Sequence, residues 1–354
     1  MTLLYSEVEE ELRSAVRGLL ADRCQPSDVL KRVESEPYDL DLWKTLSREI
    51  GVAGLLVPES LGGAGASARE VAVVLEELGR SVAPVPFFTS SVLATHALLA
   101  VGDTEILGTL ASGERTAALV VPFAASPYTQ LRSLRRYRLR ETVTIENGRL
   151  SGVVKGVAGA EVADVLLVPV NGELYAAETA QVDVVPSLDL TRPVSTVTFA
   201  DTEVTALCPY DVRETLVFGA GLLASEQLGV AEWCLETTLA YVKERYQFAR
   251  PVGSFQAIKH RLADLWLDVV RARAAARNAA TDPGELSAAV AQAWNAAVAV
   301  HVAEEAVQLH GGIGMTWEHP VHLYLKRAKA DEIALGTPGD HREALASLAG
   351  VEAP

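Results

Sequence analysis

Residues 215–256, TLVFGAGLLASEQLGVAEWCLETTLAYVKERYQFARPVGSFQ, decide the fold predicted for this chain. Apolar residues recur at helical spacing as far as Arg245, which predicts one long helix. Pro251 and Gly253 then break the helix, and a second helix is predicted to begin near residue 254. A basic, aromatic corner between two apolar helices is unusual in a helical bundle. This corner is therefore the first candidate for a binding site.

The pattern on either side of the corner predicts a mainly α chain with a middle β domain. Residues 1–115 are expected to form a helical N-terminal domain. Residues 116–213 contain strand-length runs separated by turn residues roughly every 8 to 12 positions, which favours a small antiparallel β barrel or sandwich. Asn147-Gly148 and Asn171-Gly172 are typical of hairpin turns. Residues 214–354 are expected to form a C-terminal four-helix bundle.

Helical spacing and strand alternation also predict the individual elements. The helices are expected at residues 5–24, 39–50, 68–78, 88–101, 103–112, 214–245, 254–280, 285–310, 319–333 and 340–349. The strands are expected at residues 117–121, 138–145, 150–154, 165–170, 173–177, 182–185 and 194–199.

Composition excludes several classes of function. The chain has 354 residues, a net charge of −15 and a pI near 5.0, so nucleic acid is not an expected partner. Cys24, Cys208 and Cys234 form no CxxC pair, which predicts a reduced cytoplasmic protein without a zinc site. The N-terminus does not resemble a signal peptide, and no run of about 18 uninterrupted apolar residues predicts a membrane span.

Two further motifs lie in the C-terminal region. Residues 308–317, QLHGGIGMTW, hold three glycines in four positions, which exceeds what a helix C-cap needs and allows close approach of a backbone or ligand. His310 has no second metal ligand at a suitable spacing. Residues 335–340, LGTPGD, are by themselves only a turn. For the first corner, the alternative to an anion-binding Arg245 is a capped helix end with Phe248 and Phe255 in the core.

Taken together, these motifs resemble the acyl-CoA dehydrogenase family. Residues 245–256, RYQFARPVGSFQ, are similar to the family signature RxxFGxPxxxFQ, with Ala249 where glycine is usual. Residues 308–314, QLHGGIG, are similar to the family's QxxGGxG. The order of helical, β and helical domains also matches, so the resemblance covers nearly the whole chain.

The resemblance implies the acyl-CoA dehydrogenase fold and an FAD cofactor. In this family a carboxylate removes the α-proton of an acyl-CoA thioester while the flavin accepts the β-hydride. The Arg of RxxF and the Gln and Gly of QxxGG reach across a subunit interface to the partner's FAD. The cofactor contacts implied for this chain are Arg245, Gln247, Phe248, Val252, Phe255, Gln256, Gln308 and Gly312, with Gly336 and Thr337 from the family's flavin-side loop.

The catalytic carboxylate is missing from both positions that the family uses. The loop that usually reads Tyr-Glu-Gly-Thr is ALGT at residues 334–337, so Leu335 replaces the base. The other position, in the first bundle helix, is Gly219. Two flavin-facing segments also depart from the family pattern. Residues 121–128 read VPFAASPY in place of a Thr-Glu-Pro…Gly-Ser loop, and residues 156–158 read GVA in place of Trp-Ile-Thr.

These departures lead to a specific hypothesis. The chain resembles the subunit that lacks the catalytic Glu in actinobacterial heteromeric α2β2 steroid side-chain acyl-CoA dehydrogenases. The expected partners are a second family subunit that carries the Glu, an acyl-CoA substrate with a bulky steroid side chain, and an electron-transfer flavoprotein or similar acceptor. Two alternatives stay open. One is a self-sufficient enzyme with a relocated base, Glu332 or Glu226, and the other is a purely structural subunit. The expected ordinary roles are a Glu332–Lys329 pair and a buried polar contact for Glu226.

Overall fold

The computed structural model describes residues 3–128 and 143–351. The N-terminal region is helical, and serine capping boxes begin two of its helices, Ser6 with Glu9 and Ser67 with Glu70. These boxes satisfy backbone N–H groups that a first helical turn leaves unpaired. The helices are α1 (Glu7–Arg23), α2 (Pro26–Arg32), α3 (Leu40–Thr45), α4 (Ala68–Arg80), α5 (Thr95–Val101) and α6 (Glu105–Ala111), with π-helical segments at Leu46–Ile50 and Phe87–Ala94.

The middle region contains two four-stranded sheets. One has the strand order β1-β4-β5-β8 and the other β2-β3-β7-β6. The strands are β1 (Ala117–Leu119), β2 (Val143–Glu146), β3 (Arg149–Ala158), β4 (Val165–Val170), β5 (Glu173–Ala177), β6 (Gln181–Val185), β7 (Val194–Glu203) and β8 (Thr205–Pro209). Apolar side chains from both sheets form a buried cluster of their own.

The C-terminal region is a bundle of long helices with a small hairpin after the first. Its elements are α7 (Val212–Glu244), β9 (Tyr246–Gln247), β10 (Arg250–Pro251), α8 (Gln256–Thr281), α9 (Glu285–His310), α10 (Val321–Ile333) and α11 (Pro338–Leu348). A 3₁₀ segment, Gly311–Met315, follows α9. Thr337 begins α11 with a capping box to Asp340, and proline at the first helical position fits the same start.

The N-terminal and C-terminal helices share one hydrophobic core. Helices α4 and α7 come close because glycine removes the side chain at both contacts. A Cβ placed on Gly79 would lie 2.2 Å from the carbonyl oxygen of Glu226, and one on Gly229 would lie 2.0 Å from that of Glu76. Only glycine allows two backbones to approach this closely. It fixes α7 against the N-terminal region, which positions the site described below.

The fold class predicted from the sequence is confirmed. Both predicted hairpin turns join neighbouring strands, with positive φ at Asn147, Gly148, Asn171 and Gly172. One part of the prediction needs correction, because β1 pairs with β4 in parallel whereas the other recorded pairings are antiparallel. The first part of the strand predicted at 138–145 lies outside the described residues. The domain boundaries at 115 and 213 stay predictions.

The segment Glu285–Met315 has the length and apolar composition of a membrane-spanning helix. In the described structure, 72% of its most apolar window is buried inside the protein. It contains α9, which packs against α7, α8, α10 and α11. A core helix surrounded on several sides is expected to be apolar all round, which accounts for the composition.

Candidate functional site

Leu335 and Gly219, the two positions at which the family resemblance places a catalytic base, lie against each other. Leu335 is fully buried, and a Cβ placed on Gly219 would lie 3.0 Å from Leu335 Cδ1 and 2.4 Å from Leu93 Cδ2. Side chains of Leu335 and Leu93 therefore fill the space beside the bare α-carbon of Gly219. Neither position offers a carboxylate, and leucine cannot accept a proton.

The backbone of Leu335 is anchored from both sides. Its φ of +53° lies in the left-handed region, which is uncommon for a residue with a side chain. Its N–H donates to the carbonyl of Phe123 at 2.8 Å, and its carbonyl accepts from His341 Nε2 at 3.0 Å. Burial lowers the pKa of His341 to about 4, so this imidazole is neutral and can donate only one proton. These contacts hold the leucine side chain in the interior.

Loop 121–128 of the middle region packs directly on the bundle loop at 334–337. Phe123 bridges the two regions, since its N–H donates to the carbonyl of Gly156 at 2.7 Å and its carbonyl accepts from Leu335. A Cβ placed on Gly336 would lie 3.0 Å from Ser126 Oγ. Phe123 therefore joins the segments at 156 and 335 through these two backbone hydrogen bonds.

Gly336 and Thr337 follow Leu335 in the same loop. Gly336 is buried, with φ at +99°, a conformation that favours glycine. The Thr337 hydroxyl already donates to Asp340 Oδ2 at 2.8 Å in the cap of α11. Their assignment to the flavin stays a prediction.

Glu226, the first substitute base, is part of a buried ion cluster. It is 1% exposed, and Arg192 and Arg327 donate to its two carboxylate oxygens. Burial alone would raise the pKa of Glu226, but the two guanidinium groups outweigh burial and hold the pKa below its ordinary value. A carboxylate held ionised between two cations is a poor proton acceptor. The expected buried polar contact of Glu226 is what the structure contains.

The same cluster ties the middle region to the bundle. Arg327 also donates to Asp189 and Thr191, and Arg192 Nη1 lies 2.9 Å from Asp331 Oδ1. Burial, followed by the charge of Glu226, raises the pKa of Asp331 well above its ordinary value. The raised pKa favours the neutral form of Asp331, and the two arginines then face the carboxylates of Glu226 and Asp189, which balances the buried charge.

Glu332, the second substitute base, lies on the surface of α10. Its side chain is 32% exposed, and its carboxylate lies 3.8 Å from Lys329 Nζ, the partner expected from the sequence. Leu335 is fully buried three residues later. The structure therefore places Glu332 on the outside of the bundle and not beside Gly219.

The corner after α7 is an exposed hairpin. Strands β9 and β10 pair through a two-residue turn in which Phe248 and Ala249 have φ of +53° and +60°. Phe248 is 87% exposed, so the alternative that placed it in the core is wrong. Two neighbouring residues with side chains in the left-handed region carry strain, which is typical of functional sites.

The polar groups of the corner face solvent. Arg245 caps the C-terminus of α7, and Arg245 and Gln247 are both exposed. The Arg250 guanidinium lies 3.8 Å from the ring centroid of Phe255. Val252 is half-buried and begins the 3₁₀ turn that leads into α8, where Gln256 Nε2 lies 3.4 Å from His260 Nε2. Exposed guanidinium and amide groups on a stiff hairpin can bind a phosphate group.

The glycine-rich turn after α9 lies beside this corner. Gly311 has a φ of +64°, and Gly314 packs so closely that a Cβ would lie 2.6 Å from the carbonyl of Val307. Gln308 and Gly312 are exposed, and a Cβ on Gly312 would meet open space. The ring of His310 stacks on Tyr241 of α7 at 4.6 Å, which joins the turn to the end of α7. The structure thus connects the glycine-rich turn to the end of α7, where the corner begins.

Sequence reasoning missed two features of this site. The ion cluster unites residues 189–192 with α7 and α10, and its only local signal is the run Asp189-Leu-Thr-Arg192 between two strands. The stack of His310 on Tyr241 has no local signal, because the two residues belong to different helices.

Models of the acyl-CoA dehydrogenase N-terminal and C-terminal domains match residues 6–114 and 210–348. The chain is 37% identical over 340 residues to acyl-CoA dehydrogenase IpdE2 of Mycolicibacterium smegmatis, covering 94% of this chain and 96% of that protein. The fold is also similar to two solved structures at 30% identity. One belongs to the ChsE4-ChsE5 complex from Mycobacterium tuberculosis, with a TM-score of 0.85 and complete coverage of both chains.

The other is the Tcur3481-Tcur3483 steroid ACAD G363A variant, with a TM-score of 0.84 and 99% coverage of both chains. A family that carries FAD therefore matches the chain in sequence and in fold. This chain belongs to the acyl-CoA dehydrogenase family, whose members are FAD-dependent oxidoreductases.

Proposed function

We propose that this chain is the subunit without a catalytic base in a heteromeric acyl-CoA dehydrogenase. It donates its corner hairpin and glycine-rich turn to an FAD that is held mainly by a second family member. That partner carries the Glu that removes the α-proton, and the pair catalyses α,β-dehydrogenation of an acyl-CoA thioester. The assembly is an α2β2 heterotetramer in the cytoplasm, and an electron-transfer flavoprotein or similar protein accepts the electrons.

The separation of the two halves of the site along α7 carries this proposal. Gly219 and the C-terminal end of α7 lie on one continuous helix, and the 25 residues between Gly219 and Glu244 correspond to about 38 Å of axis. One dinucleotide cannot place its ring beside Gly219 and its pyrophosphate at Arg245 of the same chain over that distance. Arg245 therefore serves a flavin that belongs to another chain.

The closed cleft supports the same conclusion from the other side. Leu335 and Leu93 fill the space next to Gly219, and Phe123 links the loops that would have to part around a flavin. The exposed groups, by contrast, keep residue types suited to a phosphate: the Arg245 guanidinium and the Gln247 amide. A subunit that donates contacts to a partner's flavin can lose its own flavin cleft but has to retain the exposed phosphate-binding groups.

The structural neighbours support a two-component assembly. One is described as the ChsE4-ChsE5 complex and the other as a Tcur3481-Tcur3483 steroid ACAD. By analogy, this chain has an unlike partner, and its substrate is a bulky steroid side-chain CoA ester. A pair that uses only one of two clefts can devote more volume to one large substrate.

The alternatives have less support. A relocated base would have to be Glu226, which two arginines hold ionised, or Glu332, which lies on the outside of α10. A purely structural subunit would have no use for the strained and exposed hairpin at Phe248.

The proposal is tested by purifying the chain alone and together with a second family member that carries the Glu. The chain alone should contain little FAD and show no acyl-CoA turnover, whereas the pair should contain one FAD per two chains. A stable homotetramer of this chain with one FAD per chain and normal turnover would overturn the proposal.

A pair of arginine variants sharpens this test. Arg245→Ala should weaken FAD binding by the pair about 10- to 100-fold, since a hydrogen bond to a charged group is worth about 1.5–3 kcal/mol. Arg48→Ala is the matched control, because Arg48 is exposed in the N-terminal region and lies 3.8 Å from Glu114. Equal FAD affinity in the two variant pairs would argue against a role for the corner.

A further inference from the structure

The end of α9 carries a cluster of three imidazole rings whose hydrogen bonds fix their proton positions. His310 Nδ1 lies 2.7 Å from the carbonyl of Ala306, so this nitrogen is the donor. His319 Nδ1 accepts from the N–H of Val321 at 3.2 Å, so its proton lies on Nε2. His322 Nε2 donates to the carbonyl of Trp317 at 3.2 Å. The hydrogen bonds thus assign a proton to Nδ1 of His310 and to Nε2 of His319 and His322.

The rings connect the glycine-rich turn to its surroundings. His310 stacks on Tyr241 at 4.6 Å and lies 4.4 Å from the His319 ring. His322 stacks on Trp317 at 4.4 Å. The segment between His310 and His319 is the turn itself, so the rings hold it at both ends.

His310 is the centre of this arrangement. It is 2% exposed, and its Nε2 has no hydrogen-bond partner among the described residues. A Cβ placed on Gly314 would lie 3.0 Å from His310 Cβ, so the turn packs directly on this residue. Tyr241, on which the ring stacks, accepts through its carbonyl from the Arg245 N–H at 2.9 Å. One ring thus contacts both the turn and the helix end that carries Arg245.

We propose that His310 is a positioning residue. While its ring is neutral, it holds the glycine-rich turn against the C-terminal end of α7 and so keeps the two flavin-binding loops in a fixed relation. The inference rests on the proposed function for the identity of the flavin. It assigns to His310 a role that the resemblance to the family did not supply. Acid should release the turn, because an added proton on His310 Nε2 would be buried without an acceptor.

Burial and the charged groups around the three rings also oppose protonation of the histidines. Burial lowers the pKa of all three histidines, and for His319 the neighbouring His310 and His322 help to lower it to about 4. Lys326 Nζ lies 4.0 Å from the Trp317 ring and opposes protonation of His322. The other titratable groups that face the cluster are Tyr241 and Glu34, which accepts from Trp317 Nε1 at 3.2 Å.

A metal ion is not the expected occupant. Among residues 3–128 and 143–351, no group of three or more His, Cys, Asp or Glu side chains could hold one. His310 and His322 each point a hydrogen-bonded ring N–H at a backbone carbonyl. His310 and His322 stack on the aromatic rings of Tyr241 and Trp317, and the His310 and His319 rings are tilted by 50°, which is a packing arrangement and not a coordination sphere.

The sign of the pH effect follows from the lowered pKa values. In the open turn a histidine titrates near its ordinary pKa, so acid favours the open state. Burial lowers the pKa of His310, and that of His319 to about 4, so both rings gain a proton more readily in the open turn and acid raises the open fraction.

Hydrogen exchange of the isolated chain tests the proposal without any cofactor. After correction for intrinsic exchange rates, segments 245–252 and 311–320 should lose protection together, by at least about 3-fold, between pH 7.5 and pH 5.0. His310→Phe, whose ring keeps the stack on Tyr241 but cannot gain a proton, should reduce this change. A protection change below about 3-fold in the wild type, or an equal change in His310→Phe, would overturn the proposed role of His310.

Two variants of His310 separate positioning from simple folding. His310→Ala removes the ring stack and should leave segment 311–320 exchanging faster than segment 245–252 at pH 7.5. His310→Phe keeps the stack on Tyr241 and should restore their common protection. His301→Gln, on the exposed face of the same helix, is the matched control. Wild-type protection of both segments in His310→Ala would refute the role of His310, whereas failure to bind FAD would affect only the proposed function.

Discussion

Replacing Glu226 by Gln should strongly destabilise the chain, because this carboxylate neutralises two buried guanidinium groups. Glu226 is 1% exposed, and one of its oxygens accepts from Arg192 Nη2 at 2.6 Å while Arg327 donates to the other. The amide keeps the volume of the side chain. It removes the negative charge, however, and turns an N–H₂ donor towards groups that can only donate.

The size of the effect follows from the composition of the cluster. Removing one partner of a buried ion pair costs about 3–5 kcal/mol. Asp331 can reduce this cost, because the charge of Glu226 is one of the causes that hold its pKa high. Once that charge is gone, Asp331 can ionise beside Arg192, 2.9 Å away. The expected loss in free energy of unfolding is therefore near the lower limit, about 3 kcal/mol.

Asp331→Asn is the matched control within the same cluster. Burial and the charge of Glu226 raise the pKa of Asp331, which favours its neutral form; Asn is also neutral and can still accept from Arg192. A raised pKa means that the unfolded chain ionises first, so the contribution of Asp331 is present below about pH 3.9 and is lost as pH rises. Asp331→Asn has no carboxyl group to titrate at this position, so its stability should not show this decrease with rising pH. At pH 7.5 its free energy of unfolding should lie within about 1 kcal/mol of the wild-type value or above it.

Urea unfolding at pH 7.5, followed by circular dichroism, measures both variants. Glu332→Gln is the surface control and should change stability by no more than about 0.5 kcal/mol. A loss of less than about 1 kcal/mol for Glu226→Gln would refute the charge assignment of the cluster. Equal losses for Glu226→Gln and Asp331→Asn would show that Asp331 is ionised and that the balance of two cations with two anions is wrong.

Three further predictions concern single positions. Gly219→Ala should lower the free energy of unfolding, measured by thermal unfolding, by about 1–3 kcal/mol, because its Cβ would collide with Leu93. Gly221→Ala is the control: its Cβ would have its nearest contact at 3.4 Å, so stability should be unchanged or should rise by up to about 1 kcal/mol. Equal effects of the two substitutions would contradict the packing at Gly219. Phe248→Ala should change stability by no more than about 0.5 kcal/mol, since the ring is 87% exposed, but should lower the FAD content of the assembled pair; unchanged content would contradict its role. Ala249→Gly should leave the free energy of unfolding unchanged, because relief of about 1 kcal/mol of strain at the left-handed φ offsets the greater entropy of glycine in the unfolded chain. A clear decrease in stability would be inconsistent with that strain.

Local chemistry determined much of this protein from its sequence alone. The Asn-Gly turns and the helical spacing on either side of Arg245 act over a few residues, so most of the order of helices and strands could be predicted, although the short elements α2 and β8 were not. The absence of a carboxylate at residues 219 and 335 is likewise a property of the sequence. The resemblance to a known family supplied the meaning of that absence.

Long-range packing decided the rest. Only the fold brings Leu335 against Gly219, joins Phe123 to the bundle loop and leaves Phe248 in solvent. The parallel pairing of β1 with β4 and the ionised state of Glu226 also depend on distant segments. Periodicity reports which face of an element is apolar, but not which element covers it. Burial and pairing of charges, which fix pKa values, arise only when those elements meet.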